Sequence, residues 1–176
     1  MSTPTPMTLP DGRRFPLLTG GERPMLESWL DFQRATLELK CAGLDDAQLR
    51  CASAEPSTLN LLGLLQHLTE VERNWFQRAF GDTRMPPVFE EQTGYRLSPE
   101  RGIEETLAVW RREIARGREV CADRSLDDVG RIPDHNPWAG TEVSLRWVYV
   151  HMIEEYARHN GHADIVRERI DGATGV

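Results

Sequence analysis

Near the C-terminal end of this 176-residue chain, Glu155 and His159 stand four apart in VSLRWVYVHMIEEYARHNGHADIV, a spacing that a helix turns into one turn. Two side chains so placed can reach one cation from a single helix. Winding the segment at about 100° per residue with Glu155 at zero sets Val148 near +20°, His151 near −40°, His159 near +40°, His162 near −20° and Val166 near +20°. Histidines, valines and the glutamate therefore share a core-facing stripe. A carboxylate there costs several kcal/mol unless it is paired, hydrogen-bonded or bound to a cation, and a metal is the simplest partner. Helix two offers a third donor, His67, whose helical neighbours Leu64 and Val71 are apolar. Two imidazoles and one carboxylate leave coordination positions open, as catalytic sites do, and the set suits zinc or iron(II). Taken singly, a Glu–His pair at this spacing is an ordinary solvated helix contact and a lone histidine an ordinary core residue. Only their coincidence on facing apolar stripes points to a metal. His151 and His162 read as supporting or core residues, His135 as surface, and Trp75 and Trp147 as core filling.

Four amphipathic segments must carry these groups. The first runs from Glu22 to about Ala42, and the second starts with Ser57 or Thr58 as the cap and ends before Gly81-Asp82. A third opens at Ser98-Pro99-Glu100 and reaches about Cys121, and the fourth starts between Thr141 and Ser144 and reaches Ile170, with Gly172 as its stop. No window alternates with period two, so the expected class is all-α, a four-helix bundle. Its connections between helices two and three, GDTRMPPVFEEQTGYRL, and between three and four, DRSLDDVGRIPDHNPWAG, exceed the roughly 2 to 8 residues usual in bundles, and Tyr95, His135 and Trp138 would suit a pocket mouth. The whole of 1–176 reads as one domain, with 1–20 a polar N-terminal extension. Twenty-one Lys and Arg against 28 Asp and Glu give a net charge of −7, which disfavours nucleic-acid binding. No stretch resembles a signal peptide or a membrane span, so the expected place is the cytoplasm. Three cysteines without C-x-x-C spacing suggest neither disulfides nor a thiolate zinc site and read as buried small hydrophobes. Phosphate loops, dinucleotide motifs, serine elbows and the paired Glu-x-x-His of di-iron bundles are missing. The apolar back of helix four around Val150 and Ile153 suggests a homodimer or packing against another element.

LNLLGLLQHLTEVERNWF together with VSLRWVYVHMIEEYARHNGHADIVRERIDG resembles the DinB-like superfamily of four-helix metalloproteins, in its mycothiol-dependent transferase branch. Members place one ligand histidine on the second helix and two ligands, four apart, on the last; His67, Glu155 and His159 match those places. Many members have histidine where Glu155 stands, but the mycothiol-dependent maleylpyruvate isomerases are similar in carrying glutamate. The resemblance implies a divalent metal, zinc, and mycothiol as co-substrate. It also implies that a metal-activated thiolate adds to a small electrophile, the chain supplying no nucleophile of its own. Two alternatives stay open. The same triad could activate water in a hydrolase or isomerase, or the protein could be a non-catalytic metal-binding stress protein.

Overall fold

The computed structural model describes residues 7–91 and 93–175. Its long elements are helices α1 (Glu22–Cys41), α3 (Leu61–Glu72), α4 (Ile103–Cys121) and α5 (Leu145–Asp171). Between them lie a short α2 (Asp46–Leu49), a π-helical turn (Arg73–Arg78) that continues α3, and strands β1 (Val129–Arg131) and β2 (Glu142–Ser144). The chain is mainly helical, as its periodicity requires. Helix α1 lies along α5 and α3 along α4, while α3 also meets α1 and α5. Their apolar stripes meet in a core that includes Leu30, Leu65, Trp75, Phe76, Trp110, Val148 and Met152. No helix among the described residues is long and apolar enough to cross a membrane.

Several boundaries differ from expectation for local reasons. Helix α3 is capped by Asn60, not by Ser57 or Thr58: its side-chain oxygen accepts from the Gly63 amide at 2.8 Å. The third long helix starts at Ile103 rather than Ser98. Arg50 takes the carbonyls of Ser98 and Arg101 at 3.0 and 2.8 Å, and so holds 98–101 out of the helix. Asp45 caps the short α2 in a reciprocal capping box with Gln48. β1 and β2 pair antiparallel, with three residues each, too short to show alternation in the sequence. Cys41 and Cys121 are buried as expected, but Cys51 is exposed. Of the 1–20 extension, residues 1–6 lie outside the described residues. From Met7 the chain folds back on α1, where buried Arg13 donates to Thr36 Oγ1 at 2.7 Å and Phe15 meets Phe32 edge to face.

One chain of buried polar bonds ties the four long helices together. Arg34 of α1 donates twice to Glu72 of α3, at 2.8 and 2.7 Å. Tyr156 of α5 gives its hydroxyl proton to the same carboxylate at 2.7 Å and accepts from Trp110 Nε1 of α4 at 2.8 Å. Glu72 and Tyr156 are wholly buried. Burial next to Glu72 drives the Tyr156 phenol far above its usual range, and the carboxylate keeps Arg34 charged despite desolvation.

The connection between α3 and α4 lies on α3. Arg73 and Arg78 donate to the carbonyls of Pro86 and Met85, at 3.1 and 2.8 Å, and the Phe89 amide donates to Glu70 at 2.8 Å. Further along, Glu91 receives the Thr93 hydroxyl at 2.5 Å and the Arg96 amide at 3.0 Å. This pinning fixes the 93–95 stretch over His67.

Candidate metal centre

His67 projects from the middle of α3, and Glu155 and His159 from the middle of α5. Helical packing brings one ligand atom of each within 4.8 Å of the other two. Glu155 Oε2 lies 3.4 Å from His159 Nε2, and the His67 and His159 rings are 4.8 Å apart between centroids. Separations of this size suit one shared cation, because two bonds of about 2.0 to 2.2 Å span roughly 4 Å.

The connecting loop sets the orientation of His67. Its Nδ1 is 2.6 Å from the Thr93 carbonyl, an acceptor only, so Nδ1 carries the proton and Nε2 keeps its lone pair. Tyr95 stacks on the same ring at 4.5 Å with 11° between planes. Gly94, between them, has φ +76°, and a Cβ there would stand 2.7 Å from both the Gln66 carbonyl oxygen and His67 Cα. Only glycine lets the loop pass this close. Tyr95 therefore sits at the site mouth, as its loop position suggested. Trp138, in the other long connection, is exposed, and His135 lies in the field of Arg78, eleven residues along the chain from His67. None of the ring contacts or hydrogen bonds among the described residues joins either of them to the triad.

The electrostatics favour a cation. A hydrogen bond from His159 holds Glu155 below the usual carboxylate range, with His151 and His67 adding to it and burial opposing. Burial pushes His67 down from its ordinary value, towards the neutral form that binds metals. Among the described residues, Glu155 has no arginine or lysine at ion-pair distance; its neighbours are the imidazoles of His159 and, at 3.6 Å, of His151.

His151 and His162 flank the triad. His162 Nδ1 is 3.4 Å from His159 Nδ1. His151 lies flat on Trp147, 4.8 Å away at 17°, with Trp75 edge-on at 4.5 Å. Trp75 is buried as expected, but Trp147 is 45% exposed and fills no core. The first turn of α5 gives its inward places to Leu145 and Val148, both fully buried, which leaves Trp147 on the outer side. His151, Glu154 and Glu155 form a second cluster of possible donors. There, however, Glu154 is already held by Arg158 at 2.9 and 2.6 Å.

A family model described as mycothiol-S-transferase matches residues 25–172. The chain belongs to the mycothiol S-transferase family. The match covers all four long helices, apart from the first turn of α1, and includes His67, Glu155 and His159. Comparison with curated proteins gives no match. Membership makes the chain a transferase by family, with mycothiol as the fitting thiol. The spacing of residues did not point to Thr93 and Gly94. A glycine after a threonine in a long polar loop is too common a signal to do so.

Proposed function

We propose that this protein is a cytoplasmic, metal-dependent mycothiol S-transferase built as a DinB-like four-helix bundle. In this reading His67, Glu155 and His159 hold a divalent metal, zinc, and mycothiol is joined to a small electrophile. The observation that carries it is the convergence of two imidazoles and one carboxylate held in its ionised form, with no arginine or lysine at Glu155 among the described residues. When bound there, the metal supplies the positive charge that lowers a thiol's pKa and makes the attacking thiolate abundant at neutral pH. The chain's own residues do the rest. Thr93 fixes the tautomer of His67, Tyr95 covers one face of that ring, and Glu155 adds negative charge that tempers the site. As a thiolate bonds to the electrophilic carbon, either a leaving group departs with the bonding pair or, in a conjugate addition, the proton lost by the thiol returns to the neighbouring carbon.

Metal content and thiol dependence test the proposal together. The purified protein should hold close to one divalent ion per chain, and conjugation of an activated electrophile should saturate with mycothiol. Turnover without any thiol would replace this reading with a hydrolase that activates water. Of the apolar back of α5, Ile153 packs against the core, so the open part of that face is smaller than the sequence suggested, whereas Val150 is 53% exposed. On this basis we propose a homodimer, and light scattering at micromolar concentration should give twice the chain mass.

A further inference from the structure

The face of α5 that carries Glu155 and His159 does not end at the triad. His162, Val166 and Arg169 continue it at steps of three, four and three residues, all within about 40° of Glu155 around the helix. These three line a cavity of about 400 Å³, a size within the roughly 300 to 1,000 Å³ of small-molecule sites. Its other wall is the segment before α3, with Glu55, Ser57 and Leu59. His162 belongs to both places: its Nδ1 lies 3.4 Å from His159 Nδ1, and its side chain bounds the cavity. By the helical rise, the lining from His162 to Arg169 begins about 4.5 Å beyond His159 along the axis and ends about 15 Å beyond it. The two walls are tied to each other within the chain: Ser53 Oγ donates to the Val166 carbonyl at 2.8 Å, and Arg169 Nε donates to the Ser53 carbonyl.

The cavity keeps unspent polar groups of both kinds. Arg169 uses only Nε, so its two Nη groups have no acceptor among the described residues. Ser57 Oγ accepts from the Leu59 amide at 3.2 Å and still has its own proton to give. Glu55 has neither a hydrogen bond nor an ion pair from the side chains of the described residues, and lies open on the cavity wall. One carboxylate and one guanidinium cancel, so the lining favours no net charge, while Leu59, Ile165 and Val166 supply apolar surface. The matching ligand is uncharged, carries donors and acceptors together, and presents apolar faces. A hydroxyl-bearing ring compound has these properties.

We propose that this cavity seats the non-reacting body of the thiol co-substrate, that the body it accepts is an uncharged polyol such as that of mycothiol, and that Glu55, Ser57 and Arg169 select it. The assignment rests on the transferase reading and adds to it which residues choose the thiol. With its sulfur at the triad and its body held along α5, the thiol is fixed at two points. Contacts that take no part in bond making then meet the entropy of orienting the sulfur. A thiol whose body carries carboxylates meets Glu55 as a like charge and is disfavoured.

The test uses two probes whose sulfur is capped, S-methylmycothiol and S-methylglutathione, titrated by calorimetry into the metal-loaded protein. S-methylmycothiol should bind more tightly. Glu55→Gln, which breaks no side-chain contact within the chain, and Arg169→Gln should each weaken it about tenfold, and Arg169→Lys by less, because the charge stays. Metal content and helical circular dichroism should be unchanged in all three variants. In turnover, Glu55→Gln should raise the KM for mycothiol and leave kcat and the KM for the electrophile in place, a split that a merely structural role would not produce. Equal binding of the two probes overturns the proposal. So do Glu55→Gln and Arg169→Gln variants that keep both the probe affinity and the mycothiol KM of the parent protein. Probe binding needs no free thiol, so failure of the transferase reading shows up separately, as absent conjugation with S-methylmycothiol still bound and still weakened by Glu55→Gln.

Discussion

Glu72 and Glu155 are both glutamates on long helices packed against the same core, and their surroundings are opposite. Glu72 is wholly buried, gripped on two sides by the Arg34 guanidinium and capped by the Tyr156 hydroxyl. Glu155 keeps about a quarter of its side chain exposed, and its ion-pair neighbours among the described residues are two imidazoles, at 3.4 and 3.6 Å. The first carboxylate has every partner it needs from within the chain. The second has neighbours that can coordinate but little that neutralises it. A buried acid with a built-in cation holds a fold, and one surrounded by neutral donors is shaped for a cation from outside.

The contrast breaks most visibly on stability. Glu72→Gln should destabilise the protein by about 3 to 5 kcal/mol, because it leaves the buried Arg34 charge with only the half-exposed Asp31 as anionic partner, whereas Glu155→Gln in metal-free protein should leave the urea midpoint nearly unchanged. Equal losses in the two variants would end the distinction. Metal affinity should reverse the order: Glu155→Gln removes the only anionic donor and should cost more than the ~10 to 100-fold usual for supporting residues, as read by competition with a chromophoric chelator.

A smaller effect sharpens the role of the loop. Gly94→Ala must adopt φ +76° and push on the Gln66 carbonyl and His67 Cα, so it should cost about 1 to 3 kcal/mol and loosen the Thr93–His67 bond. Metal binding should weaken with it, by less than in Glu155→Gln. Alanine at Gly161, where an added Cβ meets nothing within 4 Å, is the control and should leave metal binding unchanged.

The smallest expected effect is on pH. Burial lowers the His67 pKa from its ordinary 6.5. The unfolded chain therefore takes up this proton before the folded one does, and stability from this group is fully present above about pH 6.5 and lost as pH falls towards the folded value. Metal affinity should likewise be flat above neutrality and decline in mild acid, and a plateau that ends well above pH 7 would argue against a neutral His67.

Both halves of the comparison were unequally legible in the sequence. Glu155 and His159 are four residues apart, so helical periodicity alone sets them on one face, and His67 follows from the same arithmetic on α3. The partner of Glu72 is 38 positions away on another helix, and no local pattern couples Arg34 to it. Helix existence was readable from amphipathic spacing. The start of α4 was not, because Arg50, far upstream, captures the carbonyls of Ser98 and Arg101. Trp147 misled because its residue type favours burial, whereas the inward places of the first turn of α5 go to Leu145 and Val148.

The π-helical turn Arg73–Arg78 gives the chain a vernier. Such a turn takes in about one residue more than an α turn and so resets the rotational phase of the helix that follows. Phe76, Ala79 and Phe80, within or after it, all end up buried. The residue count of this stretch is therefore fixed to the unit. A one-residue deletion there would turn the last helical positions by about 100° and swing Phe80 away from the core. Insertions and deletions across this family should accordingly gather in the connections and spare this turn.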